Sequence, residues 1–231
     1  MLKNIFAAAA TLALLSAPQA GFAQDEASSE DAAATPQAPR TYDKLNFDAA
    51  EDRDNIWVLD LSNGERVMIR LMPNWAPNHV ERIKTLTRQG FYDGIIFHRV
   101  IDGFMAQSGD PTGTGQGGSE LPDLKEEFNP MPHLRGTVSM ARAASEDSAN
   151  SQFFIVFYPR FSLDKRYTNF GRVISNMGGV DAIVRGEPPA NPTRIVQASI
   201  ASDDKPVPVV RQTAPRPTDI SAEMLSAPIS E

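Results

Sequence analysis

Few side chains in this sequence offer nucleophilic, acid–base or metal chemistry. His79, His98 and His133 lie far apart, without the spacing of metal ligands, and the chain has no cysteine. We therefore expect no metal site, and we interpret all three histidines as structural or surface residues. No nucleophile elbow surrounds Ser139 or Ser151, which argues against a hydrolase that pairs either serine with His98.

The most informative segment is Gly90–Gly118, with the sequence GFYDGIIFHRVIDGFMAQSGDPTGTGQGG. Its glycines Gly113, Gly115, Gly117 and Gly118 resemble a phosphate-binding loop only superficially, because no Gly-Lys-Ser/Thr motif follows them. We interpret them as a flexible turn that lines a groove. No other motif indicates a cofactor, and we expect none.

This segment closely resembles the signature of the cyclophilin family. Phe97–Val100 (FHRV), Gly103–Gln107 (GFMAQ) and Gly109-Asp110 fall in the order and spacing of that family. Three further blocks also match, namely Gly136–Arg142 (GTVSMAR), Ser151–Val156 (SQFFIV) and Leu163–Val173 (LDKRYTNFGRV). Several ordered blocks over about 150 residues are far more specific than a single short motif.

The resemblance implies a mainly β fold, a closed eight-stranded antiparallel β-barrel capped by two α-helices, with an active groove on its outer face. It implies a peptidyl-prolyl cis-trans isomerase that acts on proline-containing polypeptides. The family's catalytic arginine falls on Arg99. Its substrate-binding positions fall on Phe104, Met105, Phe154 and Leu163 in the proline pocket, on Gln107 and Gln152 in the polar groove, on the backbone of Ala141 and Arg142, on Gly115 in the glycine loop and on Tyr167.

The sequence departs from the family at three positions. Ser162 or Phe161 stands where many members carry tryptophan, and Tyr167 stands where histidine is common. The tyrosine ring can still line a proline pocket. Arg142 replaces a frequent asparagine, and a backbone contact at that position should survive the change.

The chemistry of prolyl isomerisation fits these residue types. Rotation about the X-Pro amide has a barrier of roughly 18–20 kcal/mol but breaks no bond, so it requires no nucleophile, metal or redox group. A guanidinium such as that of Arg99 is a permanent donor for the nitrogen lone pair that rotation frees. Strand alternation places Met105 with Gln107, and Gln152 with Phe154, on shared faces.

Each of these assignments has a simpler alternative. A lone arginine on a strand, as at Arg99, is usually a solvated surface charge, and Phe104, Met105 and Phe154 could be core residues. Phe153 and Ile155, on the opposite face, are predicted to be core. Two other functions also stay open: a module that binds proline segments without turnover, and a scaffold whose tails recruit a partner.

The hydrophobic pattern predicts many short strands and two helices. Asn63-Gly64 joins two β-rich runs and predicts a hairpin. The segment Ala76–Gln89 predicts a helix that begins near Pro77 and stops at Gly90, and Met177–Arg185 predicts a second helix. The predicted strands are Asn55–Leu61, Arg66–Leu71, Ile95–Val100, Phe104–Ser108, Thr137–Ala141, Phe153–Phe157, Phe170–Ile174 and Arg194–Ile200.

The ends of the chain differ in composition from its middle. Residues 1–23 combine Lys3, a short apolar run and small residues, which indicates a cleaved signal peptide and a periplasmic protein without a membrane anchor. Residues 24–44 and the proline-rich residues 202–231 are predicted to be a disordered linker and tail. The isomerase domain is predicted over residues 45–201.

The charge of the chain restricts its partners. The formal net charge is −7, which argues against nucleic acid as a ligand because such binding depends on basic residues at phosphates. With no cysteine, the domain must fold on its core alone, without disulfides. We expect a monomer.

Overall fold

The computed structural model describes residues 41–209 of the 231-residue chain. Residues 1–40 and 210–231, which include the predicted signal peptide, most of the predicted linker and the end of the predicted tail, lie outside the described residues. No helix in the described part is long and apolar enough to cross a membrane. Eight strands and two α-helices form the domain: β1 (Ile56–Leu61), β2 (Arg66–Leu71), α1 (Pro77–Arg88), β3 (Arg99–Ile101), β4 (Met105–Ser108), β5 (Thr137–Met140), β6 (Phe153–Val156), β7 (Asn169–Ser175), α2 (Met177–Asp181) and β8 (Ile195–Ile200).

The eight strands form one antiparallel sheet in the order β3-β4-β6-β5-β7-β2-β1-β8. The sheet curls into a half-barrel, but no ladder within residues 41–209 joins its edges β3 and β8, so the predicted closure is not seen. The residues just before the two edge strands meet at an isolated bridge between Ile96 and Arg194. Pro188, Pro189 and Pro192 precede β8 and have no amide hydrogen to donate, which prevents a longer ladder there.

The predicted strand Ile95–Val100 is wrong in its bounds for the same reason. Its first residues pair irregularly with the chain that leads into β8, where the Phe97 amide donates to the Thr193 carbonyl at 2.9 Å. Only Arg99–Ile101 form a ladder, with β4. The β1–β2 hairpin is as predicted, and its turn residue Gly64 has a φ of 85°, which favours glycine.

Both predicted helices are present. Helix α1 begins at Pro77 and ends one residue before Gln89, and it buries Val80, Ile83 and Leu86 against the sheet. Helix α2 ends at Asp181 rather than at Arg185. At this end the Arg185 guanidinium donates to the Asp181 carbonyl at 2.7 Å and so satisfies one of the last carbonyls of the helix.

The main core lies inside the curled sheet. The rings of Trp57, Tyr92, Phe97 and Phe153 are fully buried and make edge-to-face contacts. Ile155 is also buried, so the prediction that Phe153 and Ile155 are core is confirmed. Their neighbours along β6 point to the outer face, where a second and smaller apolar cluster forms.

A strap of chain, residues 46–52, crosses the outer face of β2 and is held by one arginine. The Arg70 side chain is 2% exposed, and it donates to the backbone carbonyls of Asn46, Asp48, Glu51 and Asp52 at 2.5–3.1 Å. Four acceptors satisfy a guanidinium that would be costly to bury unpaired. Upstream of the strap, within the predicted linker, the Asp43 carbonyl accepts from the indole of Trp75.

Candidate active site

One row of paired residues crosses the outer face of the sheet. In the antiparallel register, Arg99 on β3 is opposite Gln107 on β4, Gln107 is opposite Phe154 on β6, and Phe154 is opposite Ser139 on β5. Directly opposed residues in neighbouring strands share a face of the sheet. The register therefore brings a cation, an amide and an aromatic ring side by side.

A cavity of about 460 Å³ lies over this row. It is lined by all of the predicted site residues except Gln152, namely Arg99, Phe104, Met105, Gln107, Gly115, Ala141, Arg142, Phe154, Leu163 and Tyr167. A second cavity of about 500 Å³ adjoins it and is lined by Gln152 as well as by Gln107, Gly115, Ala141 and Arg142. The structure therefore brings all the predicted site residues to one continuous groove, while their individual roles stay predictions.

One end of the groove is an apolar pocket, formed by Phe104, Met105, Phe154, Leu163 and Tyr167. Met105 and Phe154 are 1% and 5% exposed and belong to the small outer cluster rather than to the main core. The Phe154 ring meets the Tyr167 ring edge-on, with centroids 5.5 Å apart. These residues therefore both pack in an apolar cluster and line the cavity, because one side of each side chain is buried and another side faces the cavity.

The Arg99 guanidinium borders the pocket, and Glu187 and Gln107 accept hydrogen bonds from it. Its Nε donates to Glu187 Oε2 at 2.8 Å, and its Nη1 donates to Gln107 Oε1 at 3.5 Å. The Arg99 side chain is 43% exposed, which leaves donors free to meet a ligand in the groove. Glu187 lies 88 residues further along the chain, and nothing in the sequence pattern singles it out.

The other end of the groove, the polar cavity, is organised by a directional chain of hydrogen bonds. Gln107 Nε2 donates to Gln152 Oε1 at 2.9 Å. Gln152 Nε2 in turn donates to the carbonyls of Gly115 and Gly117 at 3.1 and 2.8 Å. Because each amide donates to the next group, the orientation of both glutamine side chains is determined.

Asp110 holds the glycine turn that forms one wall of the polar cavity. Its carboxylate accepts from the amide and hydroxyl of Thr112 and from the amide of Gly115, at 2.6–2.8 Å. Burial alone would raise the pKa of Asp110, but these hydrogen bonds hold it below its ordinary value. At Gly117 a Cβ atom would collide with the Asp110 carboxylate, so a side chain does not fit there.

A polar triad whose His133 and Ser139 are buried and whose Asp164 is partly exposed lies behind the apolar pocket, and sequence reasoning missed it. His133 Nδ1 lies 2.8 Å from Asp164 Oδ1, its Nε2 lies 2.9 Å from Ser139 Oγ, and its ring stacks on Phe154. Burial lowers the pKa of His133, and the Asp164 carboxylate opposes that shift. Ser139 is fully buried and cannot meet a substrate, so this triad is a support rather than a nucleophile.

The other two histidines are buried as well. His79 Nδ1 lies 2.7 Å from Glu127 Oε2, whereas both ring nitrogens of His98 lack a partner among the described residues. Burial lowers the pKa of His98, which lines the groove. Within residues 41–209 no cluster of three or more His, Cys, Asp or Glu side chains could hold a metal ion.

Comparison with known proteins gives a consistent result. Residues 58–200 match the family described as cyclophilin type peptidyl-prolyl cis-trans isomerase. A Brucella suis protein named probable peptidyl-prolyl cis-trans isomerase is 44% identical over 173 residues, which cover 68% of this chain and 88% of that protein.

Two solved structures are similar to the fold. The cyclophilin AquaCyp293 from Hirschia baltica has a TM-score of 0.62 and 30% identity, over 67% of this chain and 77% of that one. A Cryptosporidium parvum cyclophilin type peptidyl-prolyl cis-trans isomerase, crystallised in the presence of the dipeptide Ala-Pro, has a TM-score of 0.59 and 28% identity, over 63% of this chain and 98% of that one.

Proposed function

Since the chain belongs to the cyclophilin-type peptidyl-prolyl cis-trans isomerases, we propose that it catalyses X-Pro rotation through a non-covalent mechanism centred on Arg99. The apolar pocket holds the proline ring while the preceding carbonyl turns. The free donors of the Arg99 guanidinium hydrogen-bond the prolyl nitrogen as its lone pair leaves amide resonance. Only interactions that are stronger in the twisted state than in the planar states accelerate the reaction.

The observation that carries this proposal is the row Arg99–Gln107–Phe154 on one face of the sheet. It puts a permanent cation and an aromatic wall on the same face, two strands apart, with the Gln107 amide between them. Glu187 accepts from the Nε of Arg99, which leaves the terminal amino groups to meet Gln107 and the substrate. The polar cavity then receives the substrate backbone on the side of the X-Pro amide away from the proline ring. The Gln107 and Gln152 side chains and the backbone of Ala141 contact it there.

Replacing Arg99 tests the mechanism. We expect Arg99→Ala to lower the single-turnover rate of peptide isomerisation about a hundredfold to a thousandfold, the usual loss of one well-placed donor. Arg99→Lys should recover little, because an ammonium lacks the planar fork. The wild-type rate should be nearly flat between about pH 6 and 8.5, since arginine does not titrate there.

Two outcomes would contradict this assignment. One is a near-normal rate in Arg99→Ala that circular dichroism shows to be folded. The other is a step in the pH profile below the ordinary histidine value of about 6.5, because burial lowers the pKa of His98, that His98→Ala abolishes. A folded protein that binds proline peptides without turning them over would instead support the binding-module alternative.

We also propose that the protein works on exported proteins in the periplasm. The support is the signal-like composition of residues 1–23. X-Pro isomerisation takes tens of seconds or more without a catalyst, which is slow enough to limit the folding of such clients. Mass spectrometry of the protein from periplasmic extract should find a mature chain that lacks residues 1–23, whereas an intact Met1 in that fraction would contradict the proposal.

A further inference from the structure

A set of unneutralised cations surrounds the apolar pocket. We call Arg142, Arg160, Lys165 and Arg166 the basic rim. The guanidinium of Arg160 lies over the Phe104 ring at 4.8 Å from its centroid, and that of Arg142 lies over the Tyr167 ring at 4.9 Å. Lys165 and Arg166 occupy the segment between Leu163 and Tyr167, two residues that line the pocket.

No carboxylate among the described residues pairs with the rim. Within residues 41–209, Arg142 donates only to the backbone carbonyls of Ala143, Ala144 and Arg166, and none of the four rim cations forms an ion pair. Of the carboxylates in the segments around the pocket, Asp164 is engaged with His133, Glu187 with Arg99 and Asp102 with Arg185. Glu146 and Asp147 are exposed in the loop that follows Arg142, and within residues 41–209 neither forms an ion pair with the rim.

This local excess of positive charge runs against the character of the whole chain, whose formal net charge is −7. Elsewhere in the domain arginines commonly meet carboxylates, as Arg66 meets Asp60 and Arg135 meets Asp181. Cations that lie beside a ligand pocket and lack counter-ions attract anionic ligands, since charged clefts concentrate ligands of the opposite sign.

From this placement we propose that the enzyme prefers X-Pro segments that carry acidic side chains within about two residues of the proline. This inference rests on the proposed function, because the pocket that receives the proline defines where the rim acts. Each exposed ion pair changes affinity by a factor of about 1.4 to 5. We therefore expect kcat/KM at low salt to be about threefold to tenfold higher for a glutamate peptide than for its lysine counterpart.

The test uses the full mature chain and peptides built on one Ala-Pro core, with Glu, Gln or Lys two residues before or two residues after the proline. The Glu-to-Lys ratio of kcat/KM should exceed threefold for one of the two placements and shrink towards one in about 1 M salt, where the Debye length is about 3 Å. The double variant Lys165→Gln/Arg166→Gln removes the two rim cations that do not lie over a pocket ring, and it should lower that ratio to about its square root while its rate on the Gln peptide stays unchanged.

Lys44→Gln is the matched control. It removes one exposed positive charge that lines neither cavity of the groove, and it should leave the ratio unchanged. A ratio near one in the wild type, a ratio that persists in the double variant, or an equal loss in Lys44→Gln would overturn the preference. Turnover of the Gln peptide with normal dependence on Arg99 would leave the proposed function standing in each of those cases.

Discussion

The two ends of the groove are built by different kinds of interaction. The apolar pocket is held by packing, with Met105 and Phe154 almost fully buried. The polar cavity is held by directional hydrogen bonds that pass through Gln107, Gln152 and Asp110. Packing resists changes in volume, whereas a hydrogen-bond chain resists changes in orientation.

This difference predicts which substitutions each end of the groove tolerates. Loss of volume in the pocket should cost stability and substrate affinity together, because the same atoms serve both. Loss of one amide in the polar cavity should alter the presentation of donors and acceptors with little cost in stability, because that cavity is open to water. Three substitutions test this comparison.

Phe154→Ala should have the largest effect. Truncating a buried phenylalanine costs about 3–5 kcal/mol of unfolding free energy. It should also lower kcat/KM about 10-fold to 200-fold, the range for a missing apolar contact in a substrate pocket. Urea unfolding and peptide isomerisation measure the two effects, and Tyr158→Ala, at a ring that is 59% exposed, is the matched control. A stable but inactive Phe154→Ala would break the link between packing and binding.

His133→Asn should have an intermediate effect that depends on pH. The folded pKa of His133 lies below the ordinary 6.5, so the unfolded chain binds more protons between the two values. The neutral His133 ring therefore makes its full contribution to the free energy of unfolding above about pH 6.5. That contribution is lost as the pH falls through the folded pKa of His133. We expect the variant to lose about 1–3 kcal/mol at pH 7.5 and to show a smaller decline than the wild type towards pH 5.

Urea unfolding at pH 7.5, 6 and 5 measures that decline. Ser139→Ala serves as the comparison, because it removes a hydrogen bond but keeps the titrating ring and should therefore keep the wild-type pH dependence. Parallel stability curves for the wild type and His133→Asn would show that His133 does not titrate as its burial implies.

Gln152→Leu should have the smallest effect on stability. It removes the acceptor of Gln107 and the donor to Gly115 and Gly117. We expect about a fivefold to tenfold loss of kcat/KM, the effect of about one hydrogen bond to the substrate, with a melting temperature close to that of the wild type because water can replace the three internal partners in this open cavity. The exposed Gln89→Leu is the control. Destabilisation as large as that of Phe154→Ala would show that the two ends are not built differently.

Local patterns in the sequence predicted much of the groove. Alternation along β4 and β6 separated Met105, Gln107 and Phe154 from the core residues Phe153 and Ile155, because the side-chain period of a strand is fixed. The resemblance singled out Arg99 and Gln152, and in the structure the Gln107 side chain hydrogen-bonds to both of them.

What the sequence could not predict depends on contacts between distant segments. Glu187 reaches Arg99 because the Gly186 and Val100 backbones pair across the edge of the sheet, and no local period encodes that pairing. The histidine triad escaped notice because Asp164, His133 and Ser139 lie in separate segments and are joined only by folding. The open edge between β3 and β8 likewise depends on the prolines before β8, which interrupt the hydrogen-bond ladder there. The number of predicted strands does not show whether the sheet closes.

The strap over β2 has a consequence for where this domain can be cut. Arg70 depends on carbonyls of residues 46–52, which precede every strand of the sheet. Proteolysis before Asn46 would leave all four acceptors in place. Removal of the strap itself would take away all four acceptors and uncover the outer face of β2 around Arg70, although no strand, helix or groove residue had been lost. We therefore expect the minimal folded unit to begin about ten residues before β1, at a stretch with no regular secondary structure of its own.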